Sequence, residues 1–317
     1  MNLYRSDIPR LKRVVVTLGT FDGVHHGHRQ IIQYLVERAE KLKGSSLVVT
    51  FDKHPLKVIK DGDSSVENLT TLNEKIAIME SLGVKNVLLI PFTRTLSQYE
   101  PELFLKEMLL DRMEIHEFVI GYDHAFGSHR KGDRNFLIGL GKKLGFSVHV
   151  VKPIQIGKEV VSSTRIRQLL NQGEIKNANR MLGRNYSVRG IVKKGEEMGR
   201  IWGVPTANLF QSEDHQKLIP RNGIYAVLVH ADNACFQGVC YIGTRPTVNG
   251  TQRQIEIHLH HFEGNLYDQE LIVEFIDFIR EEEKFENIDM MISEIKKDKE
   301  KSIKILSKIT GGLHGLE

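Results

Sequence analysis

The chain has 317 residues, of which 40% are hydrophobic and 26% charged, and it carries a net charge of +4. That length suffices for two domains, each with its own core, and the composition excludes a disordered chain. The small basic excess lacks the strongly basic face of a nucleic-acid binder, so no nucleic-acid partner is expected. The opening MNLYRSDIPRLKRVVV has no apolar core region and no apolar run reaches about 18 residues, so neither a secretory signal nor a membrane helix is expected. Cys235 and Cys240 are too few for a disulfide framework and lack metal-site spacing; both read as buried thiols of a reducing cytoplasm.

In chain order, residues 13–18 (RVVVTL) read as a buried parallel strand and residues 28–43 as a helix with Ile31, Ile32, Leu35, Val36 and Ala39 at helical spacing. Strands follow at 46–51, 86–90, 117–120 and 147–151, and helices at 72–82, 101–110, 136–144 and 163–171. Apolar strands alternating with helices predict a doubly wound α/β domain around a parallel sheet. After Gly183 the pattern changes to strands at 186–192, 207–209, 223–229, 236–241, 254–260 and 271–278, separated by turn signals such as RNG and EGN. A charged amphipathic helix closes the series at 287–309. The second half therefore reads as a small antiparallel β-barrel with a C-terminal helix. The expected domains are 1–183 and 184–317.

The strongest local signal is GTFDGVHHGH at 19–28, which follows a buried strand and opens a helix. Open α/β sheets bind ligands at that end of a strand. Gly23 and Gly27 let backbone approach a ligand, the helix start offers free N–H groups to a phosphate, and His25 and His28 lie three apart on one side. A metal site and simple helix capping are the competing readings. SSTRIRQLL at 162–170 places Ser163 and Thr164 at a helix start with Arg165 and Arg167 in the first turn, where positive charge opposes the dipole unless an anion relieves it. In the second half, GEEMGRIWGVPTANL at 195–209 spaces Gly195, Gly199 and Gly203 four apart, which suits a loop folded over a polyanion, with Arg200 as a fixed charge. Thr206 and Asn208 are two apart on an extended segment and so face one side, where their oxygens suit magnesium. Glu256, His258 and His260 share a strand face, and zinc is an open alternative for them.

These motifs carry a resemblance. HHGH at 25–28 resembles the motif of the HxGH nucleotidyltransferase superfamily, and GYDHAFGSHRKGD at 121–133 is similar to the G-x-(N/D)-x-x-F-G stretch of prokaryotic FAD synthetases. GRIWGVPTAN at 199–208 closely resembles the riboflavin kinase signature, and the likeness continues through GTRPTV at 243–248, QIEIHLHHFEGNLYDQEL at 254–271 and IREEEKF at 279–285. Both domains stand in the order of the bifunctional prokaryotic riboflavin kinase/FAD synthetase family. The resemblance implies riboflavin phosphorylation to FMN in the barrel and adenylylation of FMN to FAD in the first domain, with ATP, riboflavin, FMN and FAD as substrates or products, small molecules as the only partners besides an open question of homo-oligomer, and Mg2+ as cofactor.

By residue, the resemblance implies that His25, His28 and Arg167 stabilise the phosphates in adenylyl transfer, with Gly19, Phe21, Gly23, Asp123, Ser163 and Thr164 around the nucleotide and Phe126 shaping the pocket. In the barrel it implies Glu256 as base, Gly195, Gly199, Arg200 and Gly203 over the nucleotide, Thr206 and Asn208 on the metal, and Arg280, Glu282 and Phe285 on the flavin. Lys53 in TFDKHP, Ser128-His129 and Trp202 depart from the family pattern. Retention of only one activity, a flavin- or nucleotide-binding regulator without turnover, and a nucleotidyltransferase for another substrate are the alternatives.

Overall fold

In the computed structural model, residues 1–5, 8–59, 66–195, 204–212, 217–232, 234–247 and 250–310 are described, with side chains left aside at 245–252 and 309–310. The chain forms two compact units, Met1–Ser163 and Thr164–Glu317.

The first unit is organised by a strand with no solvent-facing side. In β2 (Val14–Leu18) every residue is buried, because β2 lies inside a parallel sheet covered on both faces. The sheet adds β1 (Asn2–Tyr4), β3 (Ser45–Phe51), β4 (Asn86–Ile90), β5 (Ile115–Gly121) and β8 (Ser147–Val151) in the order β1-β4-β3-β2-β5-β8. Two short ladders lie outside it, β6 (Ala125–Phe126) with β7 (Gly132–Asp133), and β9 (Gln155–Ile156) with β10 (Glu159–Val160). Alternate residues of β2 go to opposite cores. Val14, Val16 and Leu18 meet Phe104, Leu105, Leu109 and Leu137, while Val15 meets Ile32, Leu35 and Met79. The second group comes from α1 (His26–Lys41) and α3 (Leu72–Ser81), the first from α5 (Pro101–Leu105), the turn after it and α6 (Arg134–Leu144). Helices thus cover both faces, as the alternation of strands and helices predicts.

Several local expectations need correction. The helix read over 101–110 stops at Leu105 and continues as a π-helical turn, Lys106–Leu110. The three-residue β1 and the short helices α2 (Pro55–Ile59) and α4 (Arg94–Ser97) were not expected, since elements of three to five residues give no periodic signal.

The second unit opens with α7 (Ser163–Gln172, its first residue belonging to the first unit) and α8 (Ile175–Leu182). A closed barrel follows, made of β11 (Tyr186–Lys193), β12 (Ala207–Phe210), β13 (Gly223–Ala231), β14 (Ala234–Thr247), β15 (Gly250–Leu259) and β16 (Glu270–Arg280) in the order β11-β12-β15-β14-β13-β16. Pairing of Tyr186 with Phe275 through Ile191 with Glu270 closes it without an exposed edge. Asn179 explains why α8 belongs to this unit. Its amide donates to Phe275 O at 2.8 Å and its oxygen accepts from Tyr186 N at 2.7 Å. The C-terminal helix Ile288–Thr310 packs Leu306 against Ala226 and Ile276. Cys240 is buried, and burial pushes its thiol up. Cys235 is exposed, against expectation, because an odd separation along β14 turns it to the other face.

Phe118 is 1% exposed and its ring centroid lies 5.0 Å from that of Phe146. Phe118→Ala is expected to destabilise the first unit by about 3–5 kcal/mol, read as a lower denaturant midpoint for that unit's transition.

Candidate active sites

The first site is built on the turn between β2 and α1. Phe21, Gly23 and Val24 all have left-handed backbone, with φ of 49°, 83° and 36°. For the two non-glycine residues this costs on the order of 1–3 kcal/mol each and persists only where surroundings enforce it. The enforcing group is the buried Asp22 carboxylate. It accepts from Leu69 N at 2.9 Å, Thr70 N at 3.1 Å and Thr70 Oγ1 at 3.3 Å, while Gly23 N donates to Thr70 Oγ1 at 3.0 Å. A Cβ on Gly19 would stand 3.2 Å from the Phe21 ring, a tight contact that the ring would have to yield to.

His25 is the N-cap of α1, its Nδ1 accepting from His28 N at 3.3 Å. In the neutral ring the proton is therefore on Nε2. The His25 and His28 rings stack at 3.7 Å with 15° between planes, and Phe21 meets His28 edge-on at 5.3 Å. Burial, then His25, then Lys75 hold the His28 ring well below the ordinary imidazole range, so it is neutral near pH 7. The turn thus brings together Gly19, Phe21, Gly23, His25 and His28 at the start of a 16-residue helix, where backbone N–H groups favour an anion.

Asp123 is exposed just beyond β5, the neighbour of β2 in the sheet, and so lies at the same sheet edge. Phe126 packs in the core on Phe104 at 5.8 Å and Phe136 at 6.3 Å. Ser163 Oγ donates to Asp22 O at 2.8 Å, which ties residue 163 to the histidine turn. Thr164 and Arg167 fall in the second unit. His54 Nδ1 accepts from Leu56 N at 3.2 Å, the arrangement of a turn-capping side chain.

The second site is a cavity of about 550 Å³ at the barrel wall, lined by Thr206, Asn208, Tyr241, Glu256, Arg280, Glu282 and Phe285 among others. Cross-strand pairing sets Asn208 opposite Glu256 and Glu256 opposite Tyr241. Thr206 Oγ1 donates to Glu256 Oε2 at 3.1 Å. A Cβ on Gly195 would overlap the Asn208 amide, so that glycine is required by close approach. Gly199, Arg200 and Gly203, with Trp202, lie outside the described residues. The oxygens of Thr206, Asn208 and Glu256 form a hard donor set that fits magnesium.

On the far wall, Arg280 is held by Asp298 of the C-terminal helix through contacts of 2.8–3.1 Å, and its guanidinium lies 5.7 Å from the Phe285 ring centroid. Tyr241 OH donates to Glu282, and burial followed by that carboxylate pushes the phenol up. His258 Nδ1 meets Pro205 O at 2.9 Å and His260 Nε2 meets Ser302 Oγ at 3.1 Å. Burial lowers His260 to about 4. The two rings are thus tied to separate partners, and among the described residues no three His, Cys, Asp or Glu side chains converge as a metal site.

The FAD synthetase family matches residues 7–165 and the riboflavin kinase family residues 182–306. A bifunctional riboflavin kinase/FMN adenylyltransferase of Haemophilus influenzae is 34% identical over 92% of this chain and 93% of its own length. Proteins of the same description from Escherichia coli K12 and Listeria monocytogenes are 33% identical over 90% of each chain and 31% identical over 93% of each. The chain belongs to the bifunctional riboflavin kinase/FMN adenylyltransferase family. A crystal structure described as a macrolide-efflux protein of Streptococcus pneumoniae superposes on this family member with a TM-score of 0.86 at 27% identity, covering 95% of this chain and 98% of that one. Among the described residues no helix is long and apolar enough to cross a membrane.

Sequence reasoning missed Asp22, Lys75, Tyr241 and Asp298. Asp22 sits inside the quoted motif, and its carboxylate beside Gly23 was the available signal. Lys75 and Asp298 look like ordinary helix-surface residues in the sequence, yet they are 8% and 2% exposed. In this family member the Arg280–Asp298 pair is buried, with side chains 14% and 3% exposed. Asp298→Ala removes the nearest carboxylate of the guanidinium, leaving Glu283 and Glu294 at 3.9 Å, and is expected to cost about 1.5–3 kcal/mol. A lowered midpoint for the barrel unit in denaturant unfolding checks this, and Asp298→Ala combined with Arg280→Met should recover part of the loss.

Proposed function

We propose that the barrel unit phosphorylates riboflavin to FMN and that the histidine turn serves adenylylation of FMN to FAD, both from ATP. The observation that carries the reading is the convergence of Thr206, Asn208, Glu256, Arg280, Glu282 and Phe285 on one cavity, in a chain whose first part matches the FAD synthetase family and whose second part matches the riboflavin kinase family. The proposed catalytic domains are 1–183 and 184–317.

In the kinase step Glu256 accepts the proton of the ribityl 5′-hydroxyl as that oxygen bonds to the γ-phosphorus and the bond to ADP breaks. Thr206 and Asn208 would hold the magnesium ion, which when bound neutralises phosphate charge. Gly195, Gly199, Arg200 and Gly203 would cover the nucleotide. Arg280, Glu282 and Phe285 would face the flavin, the guanidinium and ring stacking against a planar heterocycle. In the adenylyl step an FMN phosphate oxygen bonds to the α-phosphorus of ATP and pyrophosphate leaves. His25 and His28 donate to the phosphates as charge moves, with Gly19, Phe21, Gly23, Asp123, Ser163, Thr164 and Arg167 around the nucleotide. A cytoplasmic location fits a consumer of ATP whose two thiols lie on opposite faces of β14 and cannot pair.

Asn208→Ala or Glu256→Ala is expected to lower FMN formation at least ~100-fold while FAD formation from supplied FMN persists. His28→Ala or Arg167→Ala should do the reverse, at a similar magnitude. Separating riboflavin, FMN and FAD over time in the presence of ATP and magnesium reads both. Loss from a folded single variant of both activities, FMN formation from riboflavin and FAD formation from supplied FMN, would overturn the two-site reading.

A further inference from the structure

Lys75 of α3, a residue only 8% exposed, reaches under the histidine turn. Its Nζ donates to Thr20 O at 3.1 Å, Thr50 Oγ1 at 3.1 Å and Phe51 O at 3.2 Å. One cation therefore closes the carboxyl ends of β2 and β3 together, and it grips the carbonyl immediately before the left-handed Phe21. The same helix is locked in place at its start. Thr71 and Glu74 form a reciprocal capping box, and the preceding Leu69 and Thr70 N–H groups hold Asp22. A buried lysine with no complete carboxylate partner is expensive, and among the described residues its direct bonds are all to neutral oxygens.

We propose, resting on the adenylylation reading, that Lys75 is a positioning residue for FAD formation, its buried ammonium fixing the Thr20–Val24 turn and thereby the placement of His25 and His28. The charge acts as well as the bonds. Lys75 is among the groups that hold His28 in its neutral form, with burial and His25, and His28 Nδ1 has no hydrogen-bond partner among the described residues. Asp22 and Asp52 face Lys75 from the turn and from the end of β3, and Lys53 and His54 line the same small recess. Burial outweighs the two carboxylates and lowers Lys75 to about 8. Above that pH the ammonium loses its proton, and with it one donor and the charge that opposes protonation of His28.

The test uses the full chain and its own two products. Lys75→Met and Lys75→Arg are assayed for FAD formation from FMN, ATP and magnesium across about pH 5 to 10, and for FMN formation from riboflavin, which depends on the other unit. Lys75→Met is expected to lower kcat for FAD at least ~10-fold, with FMN formation within twofold of the wild type. Its acidic limb should move to higher pH, and the His28 resonance in an NMR titration should move the same way. Lys75→Arg should recover part of kcat and remove the decline centred near pH 8, because a guanidinium keeps its proton. Lys75→Met with FAD formation within twofold, or with lowered kcat and an unmoved acidic limb and His28 titration, overturns the proposal. Should Lys75→Met fail to fold, the basic limb of Lys75→Arg decides: unchanged from wild type, it overturns the proposal; displaced upward, it supports it. A wild type that makes FMN but no FAD would instead overturn the adenylylation reading and this proposal with it.

Discussion

The buried Asp22 carboxylate is the interaction on which the first unit's site depends. A short peptide with the sequence of that turn would have no reason to hold Phe21 and Val24 at positive φ, where side chains meet the backbone. Three donors from residues 69–70 converge on the carboxylate, and hydrogen bonds to an ionised group are among the stronger ones available. The strain is therefore held by segments distant in sequence, and it is useful because it places the His25 and His28 rings in a stack at the start of α1. The order of causes runs from a buried charge to a strained turn to a pair of imidazoles over a helix N-terminus.

The barrel solves a similar problem by different means. There the period of two along extended chain puts Thr206 and Asn208 on one side, and antiparallel register brings Glu256 opposite Asn208. A slip of one residue in the β12–β15 pairing would turn Glu256 to the other face, so the closed hydrogen-bond ring of the barrel is what makes the site reproducible. The opposite wall depends on an ion pair reaching from β16 to the C-terminal helix, Arg280 to Asp298. That pair orients the guanidinium toward Phe285 at the mouth of the cavity.

How much of this was legible in the sequence follows from where each signal resides. Residues 86–90 and 147–151 were read to the residue as strands because short β-branched and apolar segments between helices and turn signals have few other solutions. GTFDGVHHGH and PTAN were visible because their chemistry is carried by neighbours in the chain. Lys75 and Asp298 were not, since each owes its role to partners 18 or more residues away, and exposure on a helix is the ordinary expectation for lysine and aspartate. The π-helical turn at 106–110 escaped for another reason. Periodicity marks which side of a helix is buried, and a single widened turn leaves that side almost unchanged.

The likeness to a protein described as a macrolide-efflux protein separates two questions that are easily merged. A TM-score of 0.86 at 27% identity establishes a shared backbone, and a backbone hosts chemistry without dictating it. What separates the readings is which side chains stand at the sheet edge and in the barrel cavity. Here those are stacked imidazoles over a helix start and a Thr-Asn-Glu oxygen cluster beside an arginine and a phenylalanine. Both arrangements suit a phosphate-bearing, planar ligand. Of the departures from the family pattern, Lys53 lines the recess beneath the histidine turn together with Asp22 and Lys75, and His129 stands in left-handed backbone at φ 52°. Substitutions at such positions adjust how a substrate is gripped while the fold is kept.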